Sequence, residues 1–191
     1  EASVTVTVTC SAGQVLGRGV AVSPRQVLTA RHVVDACDGL ILASGEMMDI
    51  ELRSDTHDVA RLGASLDTAP FARWVGAGDE VQIGDRVMYI GGAPGISRVI
   101  KVGYVSLVEG GEAVAGMRGI RGNSGGPLFD ERGQLVGILV RAMFGDMEPV
   151  IVFVTVSGFD DLMPAPPPPL TREDLDAPAG PRGRWPILSD R

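Results

Sequence analysis

A serine stands among glycines in Gly122-Asn123-Ser124-Gly125-Gly126-Pro127. A serine hydroxyl attacks a carbonyl well only when a base takes its proton and fixed N–H groups receive the charge that develops on the carbonyl oxygen. The glycines beside Ser124 leave room for an incoming peptide group, and the amides of Gly122 and Ser124 are candidates for the two donors. The chain holds only two imidazoles that could act as base, His32 and His57. Asp58, next to His57, is a carboxylate that could orient one of them. Each signal has a plainer reading. A glycine-rich turn with a serine is a common strand connection, and a lone histidine after an apolar run is often a satisfied core residue.

The order of the segments tips the balance. Leu28-Thr29-Ala30-Arg31-His32-Val33-Val34, then His57-Asp58-Val59-Ala60-Arg61-Leu62, then the serine loop resemble the three motifs of trypsin-fold (chymotrypsin-like) serine peptidases, family S1, in the order His, Asp, Ser. Asp58 lies 26 residues after His32, and Ser124 lies 66 after Asp58. These spacings are closer to the compact bacterial HtrA-like group than to the digestive enzymes. Val87-Met88-Tyr89-Ile90-Gly91-Gly92-Ala93-Pro94-Gly95 and Val102-Gly103-Tyr104-Val105-Ser106 resemble the opening of that group's second barrel. The likeness covers about residues 3 to 163 and includes no sign of a PDZ module.

The resemblance implies roles. Ser124 is the nucleophile, His32 the general base and Asp58 its orienting acid, with the amides of Gly122 and Ser124 as the oxyanion hole. The substrate is a protein or peptide, and no cofactor or metal is needed. His57 is expected to be an exposed neighbour of the acid and no second base. The primary specificity pocket falls on Arg118, Gly119, Ile120 and Arg121 before the serine, on Val140, Arg141 and Ala142 after it, and on Ile151 near its floor. No acid lies at the base, which argues against cleavage after Lys or Arg. Ile151 at a common glycine position implies a shallow pocket for small or medium apolar residues. Arg118 or Arg141 could instead attract an acidic side chain, or both could point to solvent. Digestive enzymes carry an aspartate just before the serine, which pairs with a newly cut N-terminus. Asn123 cannot make that ion pair, so activation of that kind is not expected.

Composition sets the frame for these motifs. In 191 residues, 45% are hydrophobic, with 26 Gly and 13 Pro. Short β-branched runs recur, as in Val4-Thr5-Val6-Thr7-Val8, where alternation buries one face. The expectation is an all-β chain of two six-stranded antiparallel barrels, with the active site in the cleft between them. Barrel one spans about residues 3–78, with strands near 3–9, 15–22, 26–29, 39–43, 48–53 and 58–63. Barrel two spans about 79–157, with strands near 86–91, 98–107, 112–117, 127–129, 134–141 and 150–156. One terminal helical turn is expected over 158–163.

Residues 1–163 therefore read as one peptidase domain. From Pro164 the composition shifts. Pro164-Ala165-Pro166-Pro167-Pro168-Pro169 is extended polyproline that cannot join a sheet. Residues 164–191 read as a Pro-rich tail, either a spacer or a segment that packs back on its own domain through Trp185-Pro186-Ile187-Leu188.

A net charge of −7 and a single lysine, Lys101, disfavour nucleic acid and anionic membranes as partners. No apolar run is long enough for membrane insertion. The start at Glu1-Ala2-Ser3 fits a processed or trimmed chain. The two cysteines, Cys10 and Cys37, either bridge or are free buried thiols. A bridge implies an oxidising compartment, secreted or periplasmic. Two histidines and two cysteines lack zinc-like spacing. Two readings of other classes remain beside the peptidase: a catalytically silent binding module on the same fold, and a secreted structural domain with a tethering tail. The sequence does not set the oligomeric state.

Overall fold

The computed structural model describes residues 4–10, 15–35, 37, 39–42, 45–63, 70–75, 80–93, 96–144, 148–163 and 188–189. It is an all-β fold built on two six-stranded sheets. The first sheet is built from β1 (Thr5–Cys10), β2 (Val15–Ser23), β3 (Gln26–Thr29), β4 (Leu40–Leu42), β5 (Met47–Arg53) and β6 (Ala60–Gly63). Antiparallel pairing runs β1-β2-β3-β6-β5-β4 and closes back on β1 through Val8↔Leu42 and its neighbours. Closure demands close approach of backbones. A side chain at Gly19 would meet Val27 Cγ1 at 2.6 Å and the Leu28 carbonyl oxygen at 2.9 Å. Val8, Val20, Val27, Leu28 and Leu62 fill the interior and are fully buried.

The short helix α1 (Arg31–Asp35) follows β3 directly. Val33 and Val34 bury its inner side and leave His32 on the outer one. A disulfide joins Cys10, at the end of β1, to Cys37, just beyond α1, with the Cα atoms 5.5 Å apart. Of the two cysteine readings, the bridge is the one the structure holds. It closes a loop that stabilises by about 3–4 kcal/mol in the chain-entropy picture.

Between the barrels lies β7 (Phe71–Ala72), a strand the sequence pattern did not signal because it is only two residues long. Trp74, just after it, bridges in parallel to Leu135. The second sheet uses β8 (Arg86–Ala93), β9 (Ile96–Glu109), β10 (Glu112–Ala115), β11 (Pro127–Phe129), β12 (Leu135–Met143) and β13 (Val150–Thr155), paired β10-β13-β12-β11-β8-β9. β9 pairs with both β8 and β10. The β11–β8 seam consists of two residue pairs, Leu128↔Tyr89 and Phe129↔Met88.

Phe129, Phe153 and Phe159 are the largest fully buried side chains, and Ile138 and Leu135 pack with them. The terminal helical turn is two short 3-10 turns, Val156–Gly158 and Asp160–Leu162, that carry Phe159 and Leu162 into the core.

Strand limits shift from the expectation by a few residues. One shift matters: β6 begins at Ala60, so Asp58 lies in the preceding loop and not on a strand. The polyproline run and Trp185 lie outside the described residues. Of the tail, β14 (Leu188–Ser189) pairs antiparallel with β7. No helix among the described residues is long and apolar enough to cross a membrane.

Candidate active site

Asp58 is presented by a tight loop that hydrogen bonds hold to barrel one. The Ser54 hydroxyl accepts from the His57 amide at 3.1 Å, and the Ser54 amide donates to the Val59 carbonyl at 3.0 Å. Arg31, at the start of α1, donates its amide to the Asp58 carbonyl at 3.1 Å and its guanidinium to the Ser54 carbonyl at 2.7 Å. Helix and loop are thereby fixed to each other.

Both Asp58 carboxylate oxygens then serve His32. Oδ1 accepts from the His32 amide at 2.8 Å, and Oδ2 lies 2.6 Å from Nδ1 of the ring. A carboxylate on Nδ1 fixes the tautomer whose Nε2 is free to accept a proton. The hydrogen bond to Asp58 raises the His32 pKa above 6.5; burial opposes it, and the charges of Asp58 and Asp35 add to it. Burial pushes the Asp58 carboxyl up, but the ring and amide hydrogen bonds from His32 and the charges of His32 and Arg31 outweigh it, so the group sits below 3.8. The His32 side chain is 48% exposed.

The serine loop is built by room rather than by charge. Gly122 and Gly125 have φ of 83° and 86°, in the left-handed region that favours glycine. At Gly125 a Cβ would collide with the Arg18 carbonyl oxygen and the Thr29 hydroxyl of barrel one. At Gly17 it would meet the Ser124 carbonyl oxygen at 2.6 Å. The Arg18 amide donates to that same carbonyl at 2.7 Å, and Thr29 Oγ1 donates to the Arg18 carbonyl at 2.7 Å. The loop of barrel two is thus seated on β2 and β3 of barrel one.

From below, Asn123 is 1% exposed and its Oδ1 accepts from the Gly92 amide at 3.3 Å. Tyr89, 2% exposed, points its hydroxyl at the Asn123 carbonyl. Among the described residues, no group accepts a hydrogen bond from the amides of Gly122 or Ser124, and no hydrogen bond joins Ser124 Oγ to His32.

The residues assigned to the specificity pocket divide. Gly119, Ala142 and Ile151 come together: a Cβ on Gly119 would collide with Ala142 Cβ and lie 3.4 Å from Ile151 Cγ2. Val140 and Ile151 are buried. Arg118 and Arg121 are exposed, and Ile120 is half-buried. The Arg118 carbonyl accepts from Lys101 Nζ at 2.6 Å. Arg141 is exposed and reaches Glu112 at 3.5 Å.

His57 departs from the expectation of an exposed neighbour. It is half-buried, with Nε2 2.8 Å from the Gly110 carbonyl oxygen and Nδ1 2.9 Å from the Thr56 hydroxyl. The sequence carried a hint in Gly110-Gly111, a turn signal between two β-branched runs, but nothing that named the turn's partner. The described residues hold no cluster of three or more His, Cys, Asp or Glu suited to a metal ion.

Known proteins resemble the chain in sequence and in fold. The chain is 31% identical over 143 residues to the "Probable periplasmic serine endoprotease DegP-like" of Ectopseudomonas mendocina, covering 65% of this chain and 29% of that protein. It thus spans about a third or less of the length of the curated relatives it matches. In fold it matches the serine endoprotease from Yersinia pestis, with a TM-score of 0.73 at 22% identity over 84% of this chain and 61% of that one. It also matches the active form of the Rv3671c protease from M. tuberculosis, with a TM-score of 0.70 at 21% identity over 87% and 83%. The family described as "Trypsin-like peptidase domain" matches residues 17–138, and the chain belongs to that family, with DegP-like relatives.

Proposed function

We propose that the protein is a serine endopeptidase that cuts protein or peptide substrates through an acyl-enzyme. Ser124 Oγ attacks the scissile carbonyl as His32 Nε2 takes its proton. The amides of Gly122 and Ser124 hold the oxyanion. His32 then protonates the leaving amine, and water repeats the sequence on the ester. Asp58 keeps the ring oriented and stabilises the imidazolium. The observation that carries this reading is the double use of Asp58, with one oxygen on the His32 amide and the other on Nδ1. That arrangement aims the opposite ring nitrogen outward.

Residues 1–163 form the peptidase domain, with barrel one over about 3–78 and barrel two over about 79–157. Residues 164–191 form its tail. The close approach of Gly119, Ala142 and Ile151 supports a shallow pocket for small apolar side chains. Arg118 and Arg121 supply a basic rim. The Cys10–Cys37 disulfide supports a secreted or periplasmic setting.

One observation favours a second reading, a silent binding module: Ser124 Oγ makes no hydrogen bond to His32 among the described residues. An apo site with a loose nucleophile contact is common in working enzymes. A fluorophosphonate probe separates the two. An active enzyme is labelled and Ser124→Ala is not; an unlabelled, folded protein with the sequence intact would leave only the binding module.

A further inference from the structure

We infer that His57 is a positioning residue that sets the gap between the His32–Asp58 pair and Ser124 by clamping the Asp58 loop of barrel one to the β9–β10 turn of barrel two. This rests on the peptidase reading above for its consequence in catalysis, but not for the clamp itself.

The two halves of the site ride on different barrels. His32 and Asp58 are locked together by Arg31 and by the Ser54 turn, all within barrel one. Ser124 belongs to barrel two and rests on barrel one through the Arg18 amide. Among the described residues, the 54–58 loop has one hydrogen bond to barrel two, from His57 Nε2 to the Gly110 carbonyl at 2.8 Å. A carbonyl only accepts, so Nε2 carries a proton. The Thr56 hydroxyl opposite Nδ1 can donate or accept, and it satisfies that nitrogen in either charge state of the ring.

The receiving turn is shaped for the ring. Gly110 and Gly111 have φ of 57° and 82°. A Cβ at Gly111 would lie 2.7 Å from His57 Nε2, whereas one at Gly110 would meet nothing within 4 Å. The turn is itself anchored, since the Gly111 carbonyl accepts both the amide and the hydroxyl of Thr155. His57 therefore connects the residue beside the acid to a rigid point of the other barrel. The direct Ser124–His32 hydrogen bond, absent among the described residues, depends on how the two barrels meet.

The test uses the full chain, with second-order labelling by a fluorophosphonate measured on folded protein. His57→Ala should label about 10–100-fold more slowly, the size expected when a nucleophile and base are misplaced by an ångström or less. His57→Gln, which keeps an N–H at the Nε2 position, should stay within about threefold of wild type. Two glycine variants repeat the test without touching the histidine. Gly111→Ala drives a methyl into the ring and should match His57→Ala. Gly110→Ala shares the positive φ but meets open space, so it should stay near wild type.

A second readout stands apart from activity. Loosening the clamp should loosen the Ser124 seat, so the Arg18 amide should exchange with solvent about tenfold faster in His57→Ala. Equal labelling of His57→Ala and wild type, or equal loss in Gly110→Ala and Gly111→Ala, overturns the inference. An unlabelled wild type overturns the peptidase reading instead, and the clamp is then decided by the exchange of Arg18, which must quicken for it to stand.

Discussion

The two sides of the cleft are held by different physics. On barrel one, His32 and Asp58 are fixed by hydrogen bonds and charge: Asp58 takes two bonds from His32, and Arg31 takes up the loop's carbonyls. On barrel two, the serine loop is fixed mainly by steric room, with Gly125 where a Cβ would strike barrel one and a buried Asn123 beneath. Charge-built geometry responds to pH and to conservative polar swaps. Room-built geometry, held here by neutral hydrogen bonds, does not respond to pH and fails when one methyl is added. The contrast predicts which changes hurt each side, and by what route.

The largest effect should come from the charge-built side. Asp58→Asn keeps the shape but offers Nδ1 a donor where an acceptor is needed, which favours the wrong tautomer. In trypsin-like enzymes this loss is about 10⁴-fold in turnover, and kcat with a peptide ester is the measurement. Stability should change far less, because the pair is partly exposed. If Asp58→Asn unfolds the protein, the division between the two sides is wrong.

Next is the room-built side. Gly125→Ala should cost about 3 kcal/mol, at the top of the usual range for overpacking, because the site cannot relax. The Arg18 carbonyl in its way is backbone, and Thr29 is fully buried. Gly122→Ala adds only backbone strain, about 1–2 kcal/mol, since nothing lies within 4 Å of the new methyl. Denaturant midpoints for the two variants should differ in that order; equal values would remove steric room as the organising cause.

Removing the disulfide by Cys10→Ser with Cys37→Ser should lower stability by about 3–4 kcal/mol. For a domain of this size that is a fall of about 10 °C in Tm. The kcat of the surviving folded protein should drop further than it does in a destabilised variant of barrel two.

The smallest effect is the pH dependence of stability. The His32 pKa is raised, so its contribution is fully present below 6.5 and is lost as pH rises through the folded value. The Asp58 pKa is lowered, so its contribution is present above 3.8 and is lost as pH falls through the folded value. The pair therefore stabilises most between those limits. Activity needs a neutral imidazole and should rise only above 6.5. A kcat/KM profile that levels off below that point would contradict the Asp58 contact.

The same contrast explains what could be read from the chain. Ser124, His32 and Asp58 sit in local motifs whose residue types follow from their chemistry, and the alternation in β1 and the apolar runs of β8, β12 and β13 set out the barrels. Local spacing says nothing about partners far along the chain. His57 meets Gly110 across 53 residues, and both look ordinary where they stand. Asp58 was expected on a strand because Val59-Ala60-Arg61-Leu62 continues its pattern; the Ser54 turn and the bonds from Arg31 hold it in the loop instead. The pocket arginines were ambiguous because a charged side chain on a β-strand can serve a ligand or a neighbour, and Glu112 decides this for Arg141 only in three dimensions.

The Cys10–Cys37 bridge fastens the end of the first strand to the chain just beyond α1, the helix that carries His32, and both cysteines lie on the barrel-one side of the site. A thiol reductant would thus act unevenly, slackening the support of His32 while Ser124 kept its glycine cradle. On the proposed mechanism, reduction would therefore lower turnover by loosening the support of His32 while the seat of Ser124 stayed as it is.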